Sequence, residues 1–503
     1  MVASTDDASA NVDAEQPYAA LDLGSNSFHL IVAYDRPGRF HIVDKHREMV
    51  RLAEGLTGSN TLRDSVVERA ITCLQRIGER LRELPPHHVR VVGTNTLRQA
   101  TNSHAFIEAA EAALGHKIEI ISGREEARLI YLGVSHSLED HHESRLVADI
   151  GGGSTELILG RQFQPRLMES LHMGCVSISD RFFREGKIRA AAMKQAVDAC
   201  RQELEVVSQI FKAHGWDSAI GASGTLIAIN TAVAELLGHS RITADGIAEL
   251  TKRLVDAKHV DGIELPGVNK ARAPVFPGGV AIVAALFEEL GIEGMVVSNG
   301  ALREGLLHDL LGRVHAEDIR EMSVDDLTTR YQIETNHALR VAATASELLY
   351  QVRDKWEINS IDDANLLRWG AMLHEIGMDV SHSSYHKHGG YLLEHMDLPG
   401  FSQFEQKRLS LLVRTHRRKF PIDEFDPGDP LVKLCILLRI AVVFHRNRTN
   451  EPPPSVALRP DDGGLRMTVP SRWLDAHPLT ELDLAQEAEY LQAASFELRV
   501  VKK

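Results

Sequence analysis

Asp22-Leu23-Gly24-Ser25-Asn26-Ser27 returns 127 residues later as Asp149-Ile150-Gly151-Gly152-Gly153-Ser154. Each copy follows an apolar stretch, Tyr18 to Leu21 and then Leu146 to Ala148. Each also precedes one, Phe28 to Ala33 and then Leu157 to Leu159. The pattern predicts strand, tight glycine turn, strand, with an aspartate at the end of the first strand. Such a turn crowds backbone N–H groups together without side chains in the way, which suits a phosphate. A carboxylate at its entrance suits a hydrated divalent cation held against that phosphate. Two unrelated β-turns would also give such phrases, but only by an accident of residue order. The repeat therefore predicts two related halves gripping one phosphate chain.

Outward from the repeat, the chain reads as alternating strands and helices. Strands are expected near 18–23, 28–34, 40–44, 89–92 and 117–121. An amphipathic helix over Ser65 to Leu84 stops before Pro85-Pro86. A polar connection, Leu138 to Glu143, leads into the second half, with helices near 188–213, 245–258 and 278–290 and a strand at 295–298. Beyond Asp318, residues 325–445 read as helical, and alternating segments after Pro452 suggest a small strand-containing module. The expected organisation is a disordered leader (1–16), an α/β domain (17–139), a second (140–316), a helical domain (317–449) and a C-terminal α+β module (450–503).

The 503 residues carry a net charge of −14, with 44% hydrophobic and 25% charged residues. That composition is globular and argues against a nucleic-acid coat, so a polyanion needs local basic clusters. Cys73, Cys175, Cys200 and Cys435 show no C-x-x-C pairing or metal-ligand spacing. They read as reduced, buried residues of a cytoplasmic protein. No apolar run approaches eighteen residues and the N-terminus has no h-region, so no membrane insertion is expected.

Three further turns follow β-like runs: Gly93-Thr94-Asn95-Thr96-Leu97-Arg98, Gly221-Ala222-Ser223-Gly224-Thr225 and Ser298-Asn299-Gly300. There, backbone donors and helix N-termini converge on an anion. Arg98 suits a bidentate phosphate contact, or else a surface ion pair. Glu125-Glu126 opens a helix after Ser122-Gly123-Arg124. Paired acids there offset the helix dipole, but at a phosphate cleft one of them can also polarise water. Glu156 is a second carboxylate, placed to complete a cage around Mg²⁺ with Asp149.

Together D-L-G-S-N-S-F-H, G-T-N-T-L-R-Q-A, S-G-x-E-E-A-R-L, D-I-G-G-G-S-T-E-L, M-G-C-V-S, G-A-S-G-T and S-N-G-A-L-R-E-G resemble the exopolyphosphatase / guanosine pentaphosphate phosphohydrolase family. The resemblance runs from about residue 18 to 503. It implies an α/β fold of two actin-like halves (the acetate and sugar kinase, heat-shock protein and actin superfamily) with an interdomain cleft. A degenerate HD-like helical domain and a small C-terminal α+β module follow. The implied base is Glu126, the implied metal carboxylates are Asp149 and Glu156, and Asp22 matches the aspartate of the first hairpin. Arg98 matches a substrate-contacting arginine. Gly24, Ser25, Asn26, Ser27, Thr94, Asn95, Gly151, Gly152, Gly153, Ser154, Ser223, Gly224 and Thr225 form the implied phosphate loops. The implied cofactor is Mg²⁺, with other divalent cations or an added K⁺ as variants, and a homodimer is usual for the family.

In the helical region His337 matches the first HD histidine and His374-Glu375 the His-Asp doublet, but Val442 stands where the last aspartate belongs. That loss argues against a second hydrolytic centre. Residues 381–420 hold seven Lys/Arg against three Asp/Glu, plus five histidines, and 431–448 hold four Lys/Arg and no acid. His382, His386, Lys387, His388, Arg414, His416, Arg417, Arg418 and Lys419 read either as a polyanion track or as a solvated face. The expectation is a processive exopolyphosphatase acting on inorganic polyphosphate. The alternatives are a guanosine pentaphosphate phosphohydrolase, a phosphotransferase and a non-catalytic sensor.

Overall fold

The computed structural model describes residues 16–36, 39–138, 143–314, 318–426, 428–461 and 463–503. Most of the expected leader, and residues 139–142 of the expected connection, lie outside them. The chain forms two compact units, the first up to Asp318 and the second from Ile319 to Lys503.

The first unit contains the repeat as two five-stranded sheets. Strands β1 (Tyr18–Leu23), β2 (Phe28–Arg36), β3 (Arg39–Glu48), β4 (Val89–Gly93) and β5 (Glu119–Ile120) lie in the order β3-β2-β1-β4-β5. Strands β6 (Ser144–Ile150), β7 (Thr155–Arg161), β8 (Gln164–Leu171), β9 (Ser218–Ala222) and β10 (Met295–Val297) lie in the order β8-β7-β6-β9-β10. In both, the first three strands run antiparallel and the last two join in parallel. The internal duplication is therefore one of topology as well as of sequence, and these are the two actin-like halves of an α/β fold.

Strand alternation explains what each sheet faces. Ala19, Leu21 and Leu23 point into a core built with the helices Asp64–Leu81 and Ser103–Leu114. Leu146, Ala148 and Ile150 point into another, built with Ala190–His214, Ala244–Ala257 and Phe276–Leu290. The intervening residues Ala20, Ile31, Val147 and Ile158 share one interior core between the sheets. The helices Gly123–His136 and Leu302–Val314 fill that space. They touch backbone to backbone: a Cβ on Gly305 would lie 1.8 Å from the Leu129 carbonyl oxygen, and one on Gly133 2.1 Å from that of Ala301.

One eighteen-residue window, Ala273–Leu290, has the length and hydropathy of a membrane span although its apolar residues do not form an unbroken run. It is 78% buried and packs in the second-half core. All four cysteines are buried and unpaired.

The second unit is mainly helical, around one apolar core drawn from helices between Ile319 and Phe444. Its end carries a sheet of β11 (Ala457–Asp461), β12 (Gly464–Val469) and β13 (Glu497–Lys502), with the helix Pro478–Gln492 packed beside it.

Candidate active site

The strand ends of the duplicated hairpins define the site. Asp22 continues the row of Tyr18 and Ala20, and Asp149 that of Val147, so both carboxylates lie on the faces turned toward the shared interior. Register then places Glu156 directly opposite Asp149 on β7, and His29 directly opposite Asp22 on β2. The turns between these strands line a cleft together with Thr94, Asn95, Glu126, Ser223, Gly224, Thr225, Ser298 and Asn299.

The turns interlock. A Cβ on Gly153 would lie 2.2 Å from Asn95 Nδ2, so glycine lets the second turn close on the first half without displacing that side chain. The M-G-C-V-S segment braces the same turn, since the N–H groups of Cys175 and Val176 donate to the carbonyls of Gly151 and Gly152, each at 2.9 Å. Ser223 holds φ +85°, a strained value for a side-chain-bearing residue, at the start of the helix Ser223–Leu237.

The paired glutamates divide their roles. Ser122 caps the helix by accepting from the Glu125 N–H at 3.1 Å. Glu125 receives two bonds from Arg128 at 2.8 Å, inside a buried network with Asp309 and Arg90. Glu126 instead faces the cleft, held by Arg98 Nη1 at 2.8 Å. Arg98 also donates to the Ile121 carbonyl at 2.9 Å and does not line the cleft. In the structure it fixes the Glu126 carboxylate. Gly152 and Gly153 likewise lie outside the lining and shape the turn by packing.

Four carboxylates thus share a buried space. Burial raises the pKa of Asp149 to about 7, with Glu126 adding repulsion and Arg303 opposing it. Burial also lifts Asp22 and Glu156 well above the carboxylate range, reinforced in each case by Glu126 and Asp149. Glu126 is raised by burial against the pull of Arg98. Asp22 Oδ1 is buried with no hydrogen-bond partner among the described residues. Like charges directly opposite in a sheet destabilise it. An orphaned carboxylate oxygen beside them is a donor set that fits a hard divalent cation.

Three arginines that sequence reasoning did not select also line the cleft: Arg47, Arg272 and Arg303. Burial lowers both Arg47 and Arg272 from their ordinary values, with repulsion from Arg303 acting on Arg47 and from Arg47 on Arg272. Arg303 donates toward His29 Nδ1 at 3.2 Å, and His29 is held neutral with its pKa near 3 by burial and the surrounding arginines. Arg303 lay within the quoted S-N-G-A-L-R-E-G motif. Arg47 and Arg272 carried no local signal, because only the folded sheet and loop bring them to the cleft.

In the second unit the expected basic track divides. His382, His386, Lys387, Arg417, Arg418 and Lys419 line one recess. His416 belongs to the interior: it is 1% exposed and its Nδ1 donates to the Val413 carbonyl, 2.5 Å away. Arg414 is engaged by Glu424 at 2.9 Å. Arg439 is buried against Glu487, and Arg446 pairs with Asp483, so part of the apparent positive charge is neutralised in place.

Comparisons with known proteins agree with this architecture. A model of the Ppx/GppA phosphatase family matches residues 31–314, and one of Ppx/GppA phosphatase domain III matches 319–488. The guanosine-5'-triphosphate,3'-diphosphate pyrophosphatase of Aeromonas hydrophila is 39% identical over 490 residues, 96% of this chain and 99% of its own. The protein of that name from Vibrio vulnificus is 38% identical over 474 residues, 94% of this chain and 95% of its own. The solved PPX-GPPA enzyme of Aquifex aeolicus is similar with a TM-score of 0.50 and 25% identity, over 58% of this chain and 98% of that one. An exopolyphosphatase from Cytophaga hutchinsonii shares the fold, with a TM-score of 0.54, 23% identity and coverage of 59% and 98%. With duplicated hairpins, a carboxylate-lined cleft and matches spanning nearly the whole chain, this protein belongs to the Ppx/GppA phosphatase family and is a hydrolase of phosphoric anhydride bonds.

Proposed function

We propose that the chain hydrolyses the terminal phosphate of guanosine pentaphosphate, releasing orthophosphate and the tetraphosphate. The carrying observation is the near full-length similarity to proteins named guanosine-5'-triphosphate,3'-diphosphate pyrophosphatase. This replaces inorganic polyphosphate as the principal expected substrate.

The cleft supports the chemistry. Terminal phosphoryl oxygens lie among the N–H groups and hydroxyls of the two hairpin turns and the Ser223–Thr225 turn. Arg47, Arg272 and Arg303, which line the cleft and repel one another, take up the charge of the remaining phosphates. Asp149 and Glu156, with Asp22, would hold Mg²⁺, which when bound neutralises phosphate charge. Glu126 accepts a proton from the attacking water, and its raised pKa makes it a stronger base than a solvated glutamate. As the water oxygen bonds to phosphorus, the bond to the bridging oxygen breaks and the shortened nucleotide leaves. Arg98 keeps the Glu126 carboxylate in one orientation.

Polyphosphate is the second reading, favoured by Lys387, Arg417 and Arg418 gathered in one recess of the helical unit. Orthophosphate release with Mg²⁺, compared at matched terminal-phosphate concentration, tests both. A higher kcat/KM for guanosine pentaphosphate supports the proposal; a large preference for long-chain polyphosphate overturns it.

A further inference from the structure

Outside the cleft, the second unit gathers His337, His374 and Glu375, with one ligand atom from each within 4.8 Å of the others. His337 comes from the helix Thr335–Trp356; His374 and Glu375 directly follow the helix Ile361–Leu373. The Nε2 atoms of His337 and His374 lie 4.0 and 3.9 Å from Glu375 Oε1. Bonds of about 2.1 Å from a common ion require ligand separations only slightly shorter than these.

The histidine orientation is set from behind. His374 Nδ1 lies 2.6 Å from the Ala371 carbonyl, which accepts only if that nitrogen carries the proton. Its Nε2 lone pair is therefore left toward Glu375, the arrangement in which metal-binding histidines are fixed by a backbone carbonyl. The His337 side chain is only 5% exposed, and its Nδ1 has no hydrogen-bond partner among the described residues.

We propose that His337, His374 and Glu375 bind a divalent transition ion, and that a phosphate-bearing ligand completes its coordination. Imidazole with one carboxylate suits ions such as Zn²⁺ or Mn²⁺. The guanidinium of Arg448 pairs with Glu375 and competes with such an ion. Its Nη1 also reaches Glu334 at 3.2 Å, which offers it a second carboxylate when displaced. The cavity over the cluster is lined by Tyr385, Arg417 and Arg418. Arg417 stacks on the Tyr385 ring at 4.7 Å, and neither Arg417 nor Arg418 has a carboxylate partner among the described residues. That pair supplies the anion selectivity. Val442 also lines the cavity and offers no ligand, so the centre binds without the full carboxylate set of a hydrolase.

Calorimetric titration of the full chain with Zn²⁺ and with Mn²⁺, in a D149N/E156Q background that disables the cleft, tests this. One equivalent of either ion should bind, at least about tenfold more weakly in H337N and E375Q and more tightly in R448A. Inorganic phosphate should strengthen binding in that background, but not when R417A/R418A is added. Circular dichroism identifies any variant that fails to fold, and R448A, which removes no ligand, keeps the test decisive. Binding that is unchanged in folded H337N, or no stoichiometric binding in R448A, overturns the proposal.

Discussion

Asp149 and Glu156 stand directly opposite each other across the β6–β7 hairpin. The duplicated position in the first half pairs Asp22 with His29 instead. Two buried carboxylates facing each other cost stability once both ionise, unless a cation lies between them. The imidazole of His29, kept neutral by burial and the neighbouring arginines, adds no such demand. The two halves share a topology and differ at the residue that decides where positive charge is needed.

From that opposition, D149N should abolish most activity yet stabilise the protein in EDTA. Removing one of the facing acids should raise the melting temperature without metal above about pH 7, where Asp149 ionises, and saturating Mg²⁺ should shrink or reverse the gain. Differential scanning calorimetry with and without Mg²⁺ checks this; a D149N protein less stable in EDTA than the parent refutes it.

Glu126→Gln should lower kcat by about 10²–10⁴-fold, the ordinary contribution of a positioned general base, with substrate binding largely kept. Glu125→Gln should act through stability, since Glu125 is tied to Arg128 rather than open to the cleft. Single-turnover kinetics beside thermal melting separates the two.

Arg303→Met should reduce kcat/KM for the pentaphosphate. Arg303 lowers the pKa of both Asp22 and Asp149 and touches His29, so its loss weakens phosphate binding and leaves the acids harder to ionise. Steady-state kinetics over a salt series should show a shallower ionic-strength dependence than the parent.

Asp309 predicts the acid limb of stability. Burial alone would raise its pKa, but Arg128, Arg90 and Arg313 outweigh burial and hold it below the ordinary carboxylate value. A depressed native pKa contributes stability that is complete above about pH 4 and lost as pH falls below that. D309N should cost about 3–5 kcal/mol, because it strands buried guanidinium groups, and should flatten the stability curve below pH 4. Urea melts between pH 3 and 7 measure both.

Gly305→Ala should separate the two interior helices, since its Cβ would lie 1.8 Å from the Leu129 carbonyl oxygen. Glu126 and Arg303 ride on those helices. Activity should therefore fall together with the melting temperature; an unchanged kcat in a well-folded variant contradicts this coupling.

Much of this protein was decided by local sequence. The paired D-x-G-x-x-S turns, flanked by apolar residues of period two, specified two like hairpins, and β1–β2 and β6–β7 follow them closely. The Pro85-Pro86 stop and the acidic helix start at Glu125 acted within a few residues, which is why they were legible. Tertiary structure decided the rest. Arg98 was paired with Glu126, and His416 was drawn into the interior although its neighbours are basic. Arg47 and Arg272 reached the cleft from an edge strand and a loop with no phosphate-binding pattern of their own. Periodicity and turn chemistry act over a few residues and can be read along the chain. Ion pairing and burial depend on which distant segments the sheets and helices bring together, and only the folded chain fixes that.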